Sequence, residues 1–227
     1  MNTLTPSPFL ENKVVKFPKK KIYAKSNSGY KSNGVRVSHA ADAIPKEDLA
    51  RIKEFFSGKK FGLRNWTFLI FGINSGNRCG DIGRLRIGDV VGFDGKIKTD
   101  VEYMAQKTRT WEHLYIRDEL KPDITAYIET LPDKSRGAWL FPTKQGNPMT
   151  AKRYWDVLNE VSKELNLDYH LSTHSMRKTL GRTAYEVYGM DGAREMLRHR
   201  NNQVTARYIG VTEEAIREKA LNLPTIK

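Results

Sequence analysis

THSMRK at residues 173–178, LRH at 197–199 and RYIGV at 207–211 carry a His and an Arg three residues apart, a second His, and nine residues after it a Tyr. Residues three apart on a helix share a face, so His174 and Arg177 can address one anion. Arginine neutralises phosphate oxygens bidentately, histidine moves or holds protons near neutral pH, and a tyrosine hydroxyl can form a covalent ester. Donors of this kind beside a phenol suit attack on a phosphodiester, with Tyr208 as nucleophile and His199 close to it. Working outward, Arg78 in GNRCGDIGRL (76–85) and Lys107 in AQKTRT (105–110) complete a cationic set. Charge gathers on the phosphate in the transition state, so preorganised positive donors should contribute most of the rate enhancement.

The rest of the chain fits a polyanionic partner. Of 227 residues, 39 are Lys or Arg and 26 Asp or Glu, for a formal charge of +13. Such a balance favours nucleic acid. Residues 1–36 hold eight Lys/Arg against one acid, Glu11, and so carry +7 of it. Lys19, Lys20 and Lys21 are the densest run. Two readings stand for this segment: a solubilising tail, or an arm laid on DNA phosphates that orders when bound. The longest apolar run, Trp66 to Ile73, is too short to span a bilayer, and the start of the chain does not read as a signal peptide. One cysteine, Cys79, leaves no internal disulfide and fits a reducing cytoplasm. No His/Cys cluster has zinc spacing, so neither metal nor cofactor is expected.

Residues 1–40 lack a sustained apolar period and read as an extended arm or linker. Beyond them helices are expected at about 44–58, 63–73, 78–84, 122–131, 150–165, 174–188, 191–197, 202–208 and 213–221. Alternation in Ile97, Thr99, Val101, Tyr103 and again in Trp111, His113, Tyr115 predicts a small antiparallel sheet with Lys107 near the hairpin tip. The fold class is therefore α+β, mostly helical, with residues 41–227 as one domain.

The order Arg78, Lys107, His174, Arg177, His199, Tyr208 resembles that of the tyrosine recombinase (phage integrase) family, over about residues 41–221. The resemblance implies roles. Tyr208 corresponds to the nucleophile that forms a 3′-phosphotyrosyl bond, and Arg78 and Arg177 to the two phosphate-binding arginines. Lys107 matches the hairpin lysine that protonates the 5′-hydroxyl leaving group. His174 matches the acid–base histidine and His199 the histidine that hydrogen-bonds the phosphate, while Asp81 stands where an acid supports the first arginine. The ester energy stays in the phosphotyrosine, so the family needs no ATP and no metal. Its members act on double-stranded DNA as homotetramers on paired sites, exchange a C-terminal helix between subunits, and work with accessory DNA-bending or directionality proteins. A cytoplasmic, nucleoid-associated protein of bacterial, phage or mobile-element origin is implied.

Three departures from the family pattern stand out. Arg198 precedes the second His where the family has Gly; it either adds a phosphate contact or is merely exposed. The hairpin lacks the usual Gly beside its lysine, which leaves Arg109 as an alternative to Lys107 at the leaving group. Only a short basic segment precedes the domain, with no separate core-binding domain, as in the compact fimbrial DNA invertases. Integration, excision and inversion are alike compatible with these residues. The rival readings are a non-cleaving DNA-binding regulator of the same fold and a type IB topoisomerase.

Overall fold

A computed structural model of the chain describes residues 41–211, 217, 221 and 222. The basic segment with Lys19, Lys20 and Lys21, and most of the helix expected at 213–221, lie outside the described residues.

The helices follow the apolar spacing. In α1 (Asp48–Phe56) Ile52 and Phe56 turn inward, and Pro45 opens the turn before it, its carbonyl accepting from the Asp48 N–H at 3.1 Å. The central helix, α2 (Gly62–Ser75), buries Thr67, Phe68, Leu69 and Phe71 and ends at Gly76, whose φ of 66° is one that a side chain disfavours. α3 (Cys79–Ile82) and α4 (Ile87–Val90) are single turns. The sheet consists of β1 (Asp100–Met104) and β2 (Trp111–Tyr115), antiparallel, with Val101 opposite Leu114 and Met104 opposite Trp111. Val101 and Leu114 face the core while their neighbours face out; on β1 Val101 and Tyr103 are the expected inward series, whereas on β2 the expected series Trp111, His113 and Tyr115 lies on the exposed face.

A short 3₁₀ turn (Asp118–Leu120) leads into α5 (Lys121–Glu129), with Pro122 in its first turn, a position where a missing N–H costs nothing. α6 (Ala151–Glu164) is capped by Thr150, whose hydroxyl accepts from the Arg153 N–H at 3.2 Å, and it buries Tyr154, Leu158 and Val161. Phe68 of α2 meets Phe141 edge to face and Tyr154 at a tilt, with ring centroids 4.9 and 4.2 Å away. Each such burial is worth about 1.5–3 kcal/mol. The phenols stay satisfied, because Tyr154 donates to the Asn65 carbonyl and Tyr127 to that of Leu140, both at 2.8 Å.

α7 (Thr173–Met196) is continuous apart from Gly189, whose backbone (φ 72°, ψ −166°) is not helical. That break is why the sequence reads as two helices, 174–188 and 191–197. α8 (Asn202–Ile209) folds back on α7. The return is tight at Gly181: a Cβ there would lie 2.7 Å from Leu197 Cδ1 and 2.9 Å from Ile209 Cγ2. Only glycine lets the end of α7 and α8 come this close. The main differences from expectation are boundaries, with α1 beginning three residues after Pro45 and α3 ending after one turn, at Gly83.

Candidate active site

Three parts of the fold converge. The first is the start of α7. Ser172 caps it, its hydroxyl accepting from the His174 N–H at 3.3 Å and its own N–H donating to Ser175 Oγ at 2.9 Å, a reciprocal arrangement that fixes the first turn. Arg177, one turn on, is half-buried. It donates from one terminal nitrogen to the Gly76 carbonyl at 2.6 Å and from the other to the Leu197 carbonyl. It therefore ties the end of α2 to the end of α7 and keeps its remaining N–H groups.

The second part is the α7–α8 corner. Asn201 caps α8 by accepting from the Val204 N–H at 3.0 Å, and Gly210 (φ 80°) ends it. The Tyr208 hydroxyl, held on this helix, lies 3.4 Å from the His174 carbonyl, to which it donates. The His199 ring meets Tyr208 edge to face, centroids 5.1 Å apart and planes at 82°. His199 Nδ1 is fixed 3.2 Å from Thr205 Oγ1.

The third part joins α3 to the hairpin. Arg78 is the N-cap residue of α3, in extended conformation. Asp81 is buried, and its Oδ1 accepts from the Gln106 backbone N–H at 3.0 Å while the Gln106 side chain donates to the Gly80 carbonyl at 3.2 Å. Asp81 thus anchors the hairpin residue next to Lys107, and its Oδ2 is buried without a hydrogen-bond partner among the described residues. Cys79, between Arg78 and Gly80, is buried, and burial pushes its thiol up to about 12.

The hairpin closes with Ala105 and Thr110 paired by a 2.9 Å bond, which leaves Lys107 exposed in the loop between them. Arg109 occupies the left-handed region at φ 56°, and so does Arg198 at φ 51°. Position 198, where the family pattern has glycine, is therefore one whose backbone favours glycine. The Arg198 side chain pairs with Glu112 and donates to the His113 carbonyl, both on β2. Glu112 is absent from the residues that the sequence pointed to; in one dimension it is an ordinary strand acid. The glycine-to-Arg departure at 198 was the available signal.

Electrostatics binds the three parts together. Partial loss of water lowers the pKa of His174, and the charges of Arg177, Arg78 and Lys107 lower it further. His199 is lowered for the same first reason, with Arg177 and Arg78 adding to it. Burial raises the pKa of Tyr208 against the opposing pull of Arg177 and Arg78. Near neutral pH these shifts favour the uncharged imidazole at both histidines and the protonated phenol at Tyr208. Among the described residues no three His, Cys, Asp or Glu side chains gather as a metal site, and no helix is long and apolar enough to cross a membrane.

A mostly helical domain with a two-stranded antiparallel sheet, and with His, Arg and Tyr brought together by its last helices, has the fold of tyrosine recombinase catalytic domains. The family model described as "Phage integrase family" matches residues 42–215, and the chain belongs to that family. It is 28% identical over 173 residues to the probable integrase/recombinase YoeC of Bacillus subtilis (strain 168), covering 75% of this chain and 90% of YoeC. Over 148 residues it is 24% identical to the type 1 fimbriae regulatory protein FimB of Escherichia coli (strain K12), covering 64% of this chain and 72% of FimB. Among solved structures, a lambda integrase (75–356) dimer bound to a COC′ core site superposes with a TM-score of 0.61 at 12% identity, covering 86% of this chain and 66% of that one.

Proposed function

We propose that this chain is a site-specific recombinase that breaks and rejoins double-stranded DNA through a 3′-phosphotyrosyl intermediate. The observation that carries the reading is the surroundings of Tyr208. Its hydroxyl lies against the first turn of α7, its ring meets His199, and the charges of Arg78 and Arg177 act on it. In the proposed step Tyr208 Oη forms a bond to phosphorus and the bond from phosphorus to the 5′-oxygen breaks. His174, uncharged at neutral pH, accepts the phenol proton. Lys107 donates a proton to the departing 5′-oxygen. Arg78 and Arg177 offset the charge gathering on the non-bridging oxygens, and His199 donates a hydrogen bond to one of them. Asp81 serves by holding the hairpin through Gln106.

The family, the +13 charge and the DNA-bound lambda integrase dimer support DNA as the partner. The proposal extends to a homotetramer on paired sites, joined through residues 213–221 and assisted by accessory DNA-bending or directionality proteins. In it Lys19, Lys20 and Lys21 of the 1–40 arm hold phosphates, and residues 41–227 form the catalytic domain.

The test is covalent trapping on a nicked suicide substrate, read on a denaturing gel. Wild type should form an adduct that survives EDTA, and Tyr208→Phe should bind DNA but form none. An adduct persisting in the variant would move the nucleophile elsewhere, and loss in EDTA would point to metal-dependent cleavage. A wild type that binds but never forms an adduct would be a regulator of the same fold.

A further inference from the structure

Arg198 holds a left-handed backbone that glycine would occupy with less strain. The side chain that glycine would lack reaches β2, where one terminal nitrogen pairs with Glu112 Oε2 and the other donates to the His113 carbonyl. Glu112 is nearly enclosed, with 15% of its side chain exposed. The same Oε2 accepts the Tyr103 hydroxyl at 3.0 Å, and Oε1 accepts the Thr108 hydroxyl at 3.2 Å. Thr108 in turn receives the Thr110 hydroxyl at 2.8 Å. Burial alone would raise the Glu112 pKa, but the bonds from Tyr103 and Arg198 outweigh it and keep the carboxylate ionised.

One carboxylate therefore joins Thr108, the neighbour of Lys107, to Arg198, the neighbour of His199. On the other side of Lys107, Gln106 is fixed to Asp81 and Gly80. The loop is thus held at both flanks of Lys107, to α3 on one side and to the α7–α8 corner on the other. Lys107 itself forms no hydrogen bond or ion pair with another described residue.

We propose that Arg198 and Glu112 form a latch that positions Lys107 at the leaving-group oxygen, acting through the hairpin and not by touching DNA. The inference rests on the reading of Lys107 as the proton donor. It makes Arg198 and Glu112 positioning residues and assigns the Arg198 guanidinium to the protein. Breaking the latch should leave Tyr208, Arg78 and Arg177 in place and weaken only the delivery of the proton to the 5′-oxygen.

Chemistry supplies a selective test. When the bridging 5′-oxygen is replaced by sulfur, the bond from phosphorus to sulfur breaks and a thiolate leaves. A thiol has a pKa of about 8.5, so it departs without the proton that an alkoxide needs. Single-turnover cleavage by the full chain would be measured on both substrates for wild type, Lys107→Ala, Glu112→Gln and Arg198→Gly. Arg198→Gly relieves the left-handed strain and should keep its melting temperature, so loss of fold does not mimic the effect. Glu112→Gln and Arg198→Gly should each slow the oxygen substrate by at least about tenfold, part of the roughly 10²–10⁴-fold that general acid catalysis supplies, with DNA affinity unchanged and the sulfur substrate cleaved at the wild-type rate. Equal slowing on both substrates would make the latch merely structural and overturn the proposal. So would unchanged rates, or a loss of affinity that put Arg198 on phosphate. If Lys107→Ala itself slowed both substrates equally, the reading of Lys107 would fall first, and the two failures are told apart.

Discussion

Gly181→Ala tests whether the close return of α8 over α7 holds the candidate site in register. The added methyl would lie 2.7 Å from Leu197 Cδ1 and 2.9 Å from Ile209 Cγ2. To reach ordinary van der Waals separation at 3.4 Å the two groups must retreat by about 0.7 and 0.5 Å. Overpacking of this kind costs about 1–3 kcal/mol, while replacing a helical glycine by alanine returns about 1 kcal/mol. The net loss is therefore between zero and about 2 kcal/mol, a fall in melting temperature of at most about 8 °C for a domain of this size. Activity should suffer more than stability. The Leu197 carbonyl holds Arg177, His199 lies two residues beyond Leu197, and Ile209 adjoins Tyr208. A misplacement of 1 Å costs about 10²-fold in rate, so half to three-quarters of that should cost roughly ten- to thirtyfold. The assay is single-turnover adduct formation at saturating DNA, with melting followed in parallel. Leu197→Val, which removes the closest methyl, should restore part of the rate in the double variant. A Gly181→Ala protein with wild-type rate and unchanged melting temperature would refute the reasoning, since the return would then have slack to absorb a methyl.

Two further outcomes are expected. The pKa values of His174 and His199 are depressed in the folded chain, so the unfolded state binds more protons near the ordinary imidazole value of about 6.5; stability from this source is present above that pH and lost as pH falls through it. Melting temperature should drop less steeply on acidification in His174→Gln/His199→Gln than in wild type, and identical slopes would remove the two imidazoles from the account. Deleting residues 1–36 should weaken DNA binding and flatten the plot of log affinity against log salt, by about 0.9 for each phosphate that the shortened chain no longer neutralises, whereas an unchanged slope would make the segment a passive tail.

Much of the candidate site was legible because its residues sit in short, rare spacings. His174 and Arg177 are one helical turn apart, and Tyr208 follows His199 by nine residues. The hairpin was expected from alternation, and two helices, 174–188 and 191–197, were expected where the structure has α7 interrupted at Gly189. Pairings between distant segments were not. The resemblance implied that Asp81 supports Arg78, and nothing in it pointed to the bond that Asp81 accepts from Gln106, 25 residues away. Glu112 and Arg198 lie 86 residues apart, and no local pattern marks either as the other's partner. Only the absence of glycine at 198 hinted that the position was unusual.

The burial of Cys79 has a practical consequence. It is the sole cysteine of the chain, shut away beside Arg78 with its thiol pushed up to about 12. Such a thiol is almost entirely protonated at neutral pH and hidden from reagents, so the unmodified chain is in effect blank to maleimide dyes and spin labels. A single cysteine introduced at an exposed position such as Trp111, at the start of β2, would take up label alone. The hairpin could then be followed by fluorescence or electron spin resonance as DNA is added, without first engineering away a native residue next to Arg78.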